Sequence, residues 1–313
     1  MLVDQIIARV RRADFVESLH QVYAVVTNPD GSVAQAWGAP DQEIMPRSAN
    51  KPFQALAMLA AGAQLEGKFL ALAAASHSGE AFHIAAVEQM LAAAGLSAAD
   101  LKNTPDLPLA VPAQIAWCNA GHGKESIAQN CSGKHAGMLT ACVAAAWPTE
   151  NYLDPEHPLQ RAVLEQFTAF GIQPSVIVVD GCGAPAHSMR LAELARAYGE
   201  LAAASDGPRR LVGDAYRQFP EYIAGTTRPN TAFMQLLPGA IAKDGAEGVL
   251  AIGLADGRGI AIKVADGTAR SRYPVLAAIL RQLGVGDEPL WSRLADEPVL
   301  GHGKPVGDIQ VEL

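Results

Sequence analysis

The sequence predicts an α+β fold, an antiparallel sheet built from both chain ends and flanked by helices, with a helix-rich lobe inserted between them. Three observations carry this. Two hairpin patterns stand near opposite ends of the 313-residue chain, the stretch between them is rich in alanine and follows helical spacing, and an apolar helical stripe comes late. Segregated strands and helices are the mark of the α+β class.

Residues 21–26 (QVYAVV) are apolar and mostly β-branched, residues 28–31 (NPDG) carry turn chemistry, and residues 32–37 complete a hairpin. In the middle, Ile84, Val87, Met90, Leu91 and Ala94 recur at helical spacing, with Gly95 as the residue that ends the helix. Asp154-Pro155 is read as the start of a helix running toward Gly171, and residues 176–179 as one short buried strand between helices. Residues 248–254, the turn 256–259 and residues 260–264 form the second hairpin, closed by Asp266-Gly267. Val275, Leu276, Ile279, Leu280 and Leu283 make the apolar stripe of a C-terminal helix that Gly284 stops. There is no internal repeat and no low-complexity linker, so residues 1–313 are expected to form one catalytic unit. Its sheet lobe is expected over approximately 1–47 and 208–313, and its helix-rich lobe over approximately 48–207.

Half the residues are apolar, 18% are charged and the formal net charge is -8, which suits a globular protein and not a disordered one. No stripe of Lys and Arg is present, so a nucleic-acid partner is not expected. The first 17 residues mix Asp, Arg and Glu into apolar sequence, unlike a secretory signal. The longest apolar run without charge, 136–148, is too short to span a bilayer, so no membrane partner is expected. Cys118, Cys131, Cys142 and Cys182 are read as thiols or metal ligands, not disulfides, and the expected location is the cytoplasm.

Arg47-Ser48-Ala49-Asn50-Lys51 stands where the first hairpin gives way to helical sequence. Positions i and i+3 share a helix face, so Ser48 and Lys51 can meet. A serine hydroxyl needs a base to become a nucleophile, and a lysine serves where burial or a neighbouring cation lowers its pKa. The structural alternative is a helix-capping serine beside a solvated lysine. Four further polar islands interrupt apolar sequence: residues 76–80 (SHSGE), residues 130–135 (NCSGKH), residues 180–183 (DGCG) after the short strand, and Lys263 alone in an apolar strand. Ser76–Glu80 also reads as a helix-capping turn, and Lys263 as a solvent-facing strand lysine. A zwitterionic amino acid needs two charge clamps. Glu80 and Asp180 are candidates for its ammonium, Arg47 for its carboxylate, and His135 is a further substrate-side candidate. Cys131, Cys182 and His135 also fit a zinc reading, thiolate plus imidazole, while a lysine ligand requires the neutral amine.

Together the islands resemble the serine-type L-asparaginases of the Rhizobium-like asparaginase II family, which is distinct from the enzymes with a threonine nucleophile. The resemblance runs through RSANKPFQ (47–54), SHSGE (76–80), NCSGKHAGML (130–139), DGCGAP (180–185), PGAIAKDGAEGV (238–249) and GIAIKVADG (259–267). It implies a serine β-lactamase/glutaminase-like fold, a homodimer, and hydrolysis of L-asparagine to L-aspartate and ammonia, for which a serine nucleophile with a lysine base suggests a route through an acyl-enzyme. It implies one Ser–Lys pair at Ser48 and Lys51 and a second at Ser78 and Lys263. It also implies a zinc ion on Cys131, Lys134 and Cys182 that supports substrate positioning more than the chemistry. One departure is Asn230, where the family pattern has an aspartate. Two other functions fit the residues: a zinc-dependent amidohydrolase acting on a small amide, and a non-catalytic amino-acid-binding protein.

Overall fold

The structure is a computed structural model and describes residues 5–313; the first four residues of the N-terminal stretch read above for a signal lie outside the described residues. The chain divides into two compact units, one of residues 1–49, 189–203 and 232–313, the other of residues 50–188 and 204–231.

The first unit is the sheet. Strands β1 (Ile6–Arg12), β2 (Phe15–Thr27) and β3 (Val33–Trp37) come from the N-terminal end. β4 (Glu43–Ile44) and β7 (Met189–Arg190) form a separate two-residue ladder. β8 (Ile241–Gly245), β9 (Val249–Gly253), β10 (Gly259–Val264) and β13 (Ile309–Glu312) come from the C-terminal end. The order is β13-β1-β2-β10-β9-β8 with β3 on β2, antiparallel throughout. β2 and β10 join the two chain ends directly, Tyr23 opposite Lys263 and Val25 opposite Ala261. Both hairpins fall where the turn chemistry puts them: Asn28 N–H bonds Ser32 O at 2.8 Å, and Leu254 N–H bonds Arg258 O at 2.8 Å.

β8 and β9 are buried at every position, as expected of strands covered on both faces. α7 (Leu191–Ala203) packs on β2, β9 and β10, and α11 (Arg272–Gln282) packs on β1, β10 and β13, with α12 (Glu288–Ala295) against it. α7 lies close because the strands present glycine beneath it: a Cβ on Gly259 would stand 1.7 Å from Ala195 O, and one on Gly253 2.1 Å from Tyr198 O. β11 (Val299–Gly301) and β12 (Lys304–Gly307) form a small hairpin of their own.

The second unit holds α1 (Lys51–Ala60), α2 (Gly67–Ala73), α3 (Ala81–Ala93), α4 (Val111–Asn119), α5 (Ser132–Ala144), α6 (Pro158–Ala169), α8 (Gly207–Gln218) and α9 (Pro220–Ile223). α10 (Pro229–Leu236) spans the division at residue 231. α5 is its axis, packed on α1, α2, α3 and α6 and buried over its first eight residues. β5 (Ile177–Val179) and β6 (Pro185–His187) pair with each other.

The α+β class read from the sequence holds, with three differences in detail. Residues 177–179 are a strand, but an exposed one, because β6 is its sole ladder partner; Val179 is 78% exposed. The helix expected from Asp154-Pro155 begins at Pro158, capped by His157 Nδ1 accepting from Leu159 N–H. Finally, 191–203 belongs with the sheet and 204–231 with the helices, so the lobe boundaries differ from the single cuts expected near 47 and 208.

Candidate active site

Ser48 lies on a single 3-10 turn, Arg47–Asn50, that leads straight into α1. Pro52 sits in the first turn of α1, where the missing N–H costs nothing. Arg47 has φ +54 although it carries a side chain, a left-handed conformation that non-glycine residues adopt only when the surroundings impose it. Ser48 is half-buried, whereas Lys51 is 2% exposed. Lys51 Nζ donates to Ala75 O, to Ser76 Oγ at 2.9 Å and to Cys131 Sγ at 3.0 Å. These three acceptors offset the desolvation of a buried amine.

Residues 76–80 run extended between α2 and α3 and are buried up to Gly79. His77 Nε2 lies 2.8 Å from Ser132 Oγ, and its Nδ1 accepts from Gly79 N–H, so the Nε2 proton faces Ser132. Burial, with the charges of His83 and Lys51 adding to it, holds His77 well below the usual imidazole value. Glu80 caps α3. Its N–H donates to His83 Nδ1, and its carboxylate accepts from the N–H and hydroxyl of Thr226 at 2.9 and 2.8 Å. Ser78 is buried, 1% exposed, in the same segment.

The next polar cluster sits at the start of α5. Cys131 caps the helix and Lys134 and His135 follow one turn on, so all three share a face. Cys182, on the tight turn between β5 and β6, completes the group. Lys134 Nζ donates to Cys182 Sγ at 3.0 Å, and the Cys131 and Cys182 side chains pack in one buried cluster. Cys182, together with the Lys51 and Lys134 charges, overcomes burial and holds the Cys131 thiol below its usual value, and Cys131 Sγ also lies 3.0 Å from Asn130 Oδ1. Cys182 is pushed up by its neighbour Cys131 and by burial. Burial opposes the charge on Lys134, but the two sulfurs outweigh it and hold the amine protonated. Asp180 is close enough to add to that pull. His135 is fully buried; its Nδ1 lies 2.8 Å from Tyr152 Oη, while its Nε2 has no partner among the described residues.

Two cysteine sulfurs and the Lys134 amine converge here, but among the described residues no three His, Cys, Asp or Glu side chains are placed to hold a metal ion, and zinc on Lys134 requires the neutral amine. Cys131, Lys134, His135 and Cys182 all belong to the second unit. Cys118 is exposed and Cys142 is pushed up to about 12 by burial, so neither belongs to this chemistry.

In the sheet unit, Lys263 is half-buried in β10 and its ammonium caps Glu247 O and Val264 O at 2.6 and 2.7 Å. Burial lowers its pKa against the pull of Glu247 and Asp266. A second strand lysine, Lys243 in β8, is fully buried and bonds Asp244 O at 2.6 Å and Asp244 Oδ1 at 2.9 Å, with Arg272 3.9 Å from the other carboxylate oxygen.

Residues 8–311 match the L-asparaginase II family, nearly the whole chain. The chain belongs to the L-asparaginase II family. It is therefore an asparaginase-type amidohydrolase in its family. No curated protein matches it by sequence. Among solved structures it is similar to a β-lactamase (Mb2281c) from Mycobacterium bovis, at 17% identity and TM-score 0.46 over 83% of this chain and 94% of that one. It is also similar to Mglu in its L-glutamate binding form, at 15% identity and TM-score 0.42 over 85% of this chain and 61% of that one. A putative β-lactamase from Bacteroides dorei DSM 17855 follows at 13% identity and TM-score 0.40, over 83% and 92%. At these scores the likenesses add nothing to the fold described above.

Within this L-asparaginase II chain, the structure gathers Lys51, Cys131, Lys134 and Cys182 into one buried network, with Ser78, Glu80, His135 and Asp180 in the same unit. Arg47, Ser48 and Lys263 belong to the sheet unit. Three residues went unread in the sequence. Ser76 is a Lys51 partner, and its signal was its place in the same island as Ser78. Thr226 holds Glu80 across 146 residues of chain, a pairing no local pattern announces. Lys243 stands inside the family-like run 238–249, where a charged pair in an otherwise apolar strand was the available signal. Asn230, the departure from the family pattern, is buried at the start of α10.

Proposed function

We propose that this L-asparaginase II family member hydrolyses L-asparagine to L-aspartate and ammonia, with Ser48 as nucleophile and Lys51 as its base. The observation that carries the reading is the Lys51 amine, sealed from solvent and anchored at Nζ, at the head of the helix that the Ser48 turn leads into. A lysine is almost never fully buried unless paired, and the three Lys51 acceptors hold its amine in one place. The left-handed Arg47 beside Ser48 is a second support, since imposed strain clusters at functional sites.

In this reading Lys51 takes the Ser48 proton and Oγ attacks the side-chain amide carbon. The Ser48 backbone N–H helps hold the oxyanion. The C–N bond breaks, ammonia leaves with a proton relayed from Ser78 and a lysine, and water then cleaves the aspartyl ester. Glu80 and Asp180 receive the substrate ammonium, Arg47 its carboxylate, and His135 lies on the substrate side. Cys131, Lys134 and Cys182 would hold zinc, which there would lock this corner of the helical unit and fix the charge near the substrate. A cytosolic homodimer belongs to the same proposal, supported by the family resemblance and by four free thiols.

The test is ammonia release from L-asparagine, D-asparagine, L-glutamine and a β-lactam, in wild type, Ser48→Ala and Lys51→Met. Loss of a general base costs ~10²–10⁴ in rate, so both variants should fall to near background on L-asparagine while staying folded. Wild-type turnover in a folded Lys51→Met protein refutes the assignment. Lys263→Met and Lys243→Met, assayed beside them, decide the second lysine: the proposal names Lys263, and Lys243 is its rival because it is the fully buried one.

The convergence of Cys131, Lys134 and Cys182 favours one second reading, zinc-dependent amide hydrolysis. It requires that chelation abolish turnover and that Ser48→Ala retain it.

A further inference from the structure

The segment 224–231 is moulded onto the island that carries Ser78 and Glu80. The Thr226 N–H donates to Glu80 Oε1 at 2.9 Å and its hydroxyl donates to Oε2 at 2.8 Å, so one residue holds both carboxylate oxygens. Gly225, just before it, has φ +150, and a Cβ there would come within 2.2 Å of Ser78 Oγ and 2.7 Å of Glu80 Oε1. Nothing larger than glycine fits between the loop and the two side chains. The loop is itself anchored: the Thr231 hydroxyl lies 2.6 Å from Gly225 O and 3.1 Å from Pro220 O. From the other side Glu80 is fixed by its capping box with His83, whose Nε2 lies 2.9 Å from Glu221 O.

Glu80 is thus immobilised at backbone and carboxylate alike, yet no cationic side chain pairs with it among the described residues. A carboxylate accepts at about four lone-pair positions. Thr226 occupies one on each oxygen and the His83 backbone N–H of the capping box a third, which leaves acceptor capacity for a cation. An orientation fixed this firmly lowers the entropy cost of binding one.

We propose that Thr226 is a specificity-determining positioning residue, aiming Glu80 at the α-ammonium of the substrate so that the site selects free amino-acid amides over amides lacking that group. This rests on the placing of Glu80 in the substrate site proposed above. Thr226 touches no reacting atom; it acts through Glu80. Gly225 is the companion feature, giving the loop the close approach that Thr226 needs.

Thr226→Val keeps the shape and the backbone N–H and removes the hydroxyl; Thr226→Ser restores it. The kinetic arm compares L-asparagine with succinamate, the same amide acid without the amino group. The binding arm measures L-aspartate and succinate by calorimetry and does not depend on turnover. Thr226→Val is expected to raise KM for L-asparagine roughly tenfold at nearly unchanged kcat. It should weaken L-aspartate by the same factor, and leave succinamate and succinate within twofold. Thr226→Ser should return to wild type, and Glu80→Gln should reproduce the loss without adding to it in the double variant. Equal loss for ligands with and without the ammonium, loss for neither, or wild-type protein that binds neither L-aspartate nor succinate overturns the proposal. The parent reading fails separately: ammonia release surviving in Ser48→Ala sinks it, while a Thr226-dependent preference for L-aspartate over succinate keeps the present inference standing.

Discussion

Acidification should destabilise the helical unit through its buried histidines, and His187 allows the size to be worked out. It ends β6, is 1% exposed, lies against the Phe167 ring at 5.0 Å between centroids, and leaves Nδ1 without a hydrogen bond. Burial lowers its pKa from 6.5 to about 4. Because the folded value lies below the unfolded one, the neutral ring favours the fold. That contribution is complete above pH 6.5 and is lost as pH falls toward 4, with no further change below. At pH 5 the unfolded ring is largely protonated and the folded ring largely neutral, a difference of about 1.5 pH units or about 2 kcal/mol. This is a large share of a total stability of about 5–15 kcal/mol. His187→Phe removes the titrating group and keeps an aromatic ring beside Phe167. Urea unfolding followed by circular dichroism at pH 7.5 and pH 5, at one ionic strength, should show the variant gaining about 2 kcal/mol on wild type between the two pH values. His77, His83 and His135 are lowered by burial as well, so wild type itself should lose more than the His187 share. A stability gap between variant and wild type that is the same at both pH values would refute the reasoning.

Two further predictions concern the sheet and the metal set. Gly259→Ala drives a methyl into Ala195 O, forces α7 off β10, and should lower stability by at least ~1–3 kcal/mol, read as a fall in the urea midpoint. Zinc, titrated into the chelated protein, should bind at one equivalent, and Lys134→Met should weaken it at least tenfold. A cobalt-substituted sample should show thiolate charge-transfer bands that Cys182→Ser diminishes, and unaltered bands would exclude Cys182 as a ligand.

What the sequence disclosed was what short-range chemistry determines. The turns at 28–31 and 256–259 announce both central hairpins, and Gly95 and Gly284 end their helices as read. β13 escaped because its pairing comes from the far end of the chain, Ile309 opposite Val10, and β1 escaped because the turn that hairpins it to β2, Ala13-Asp14, has no glycine or proline to announce it. Residues 177–179 look buried by composition but lie in an isolated ladder, so apolar content misjudged their exposure. The lobe boundary escaped for a related reason. α7 and α8 are both amphipathic, and only Gly253 and Gly259, on strands far along the chain, reveal which of them rests on the sheet. At the site, the family-like motifs supplied residue identities and the geometry supplied their partners. No spacing rule could have paired Lys51 with Cys131, or Glu80 with Thr226.

Those partners change how the key variant must be judged. Lys51, Cys131, Cys182 and Lys134 form a row with the two sulfurs between the two amines, and the amine–sulfur bond at each end is 3.0 Å. The proposed base and the proposed metal ligands are one electrostatic unit. Removing Lys51 takes a bonded amine from the buried Cys131 sulfur, and a broken buried pair costs about 3–5 kcal/mol. Lys51→Met therefore perturbs catalysis and the fold together, and loss of turnover alone does not separate them. Ser48→Ala lies outside the row of four and carries no such penalty. If Ser48→Ala is inactive at wild-type stability while Lys51→Met is inactive and less stable, both results follow from the same geometry. If Lys51→Met is inactive and fully stable, the Lys51–Cys131 pair adds nothing to stability, and the link between base and metal set falls.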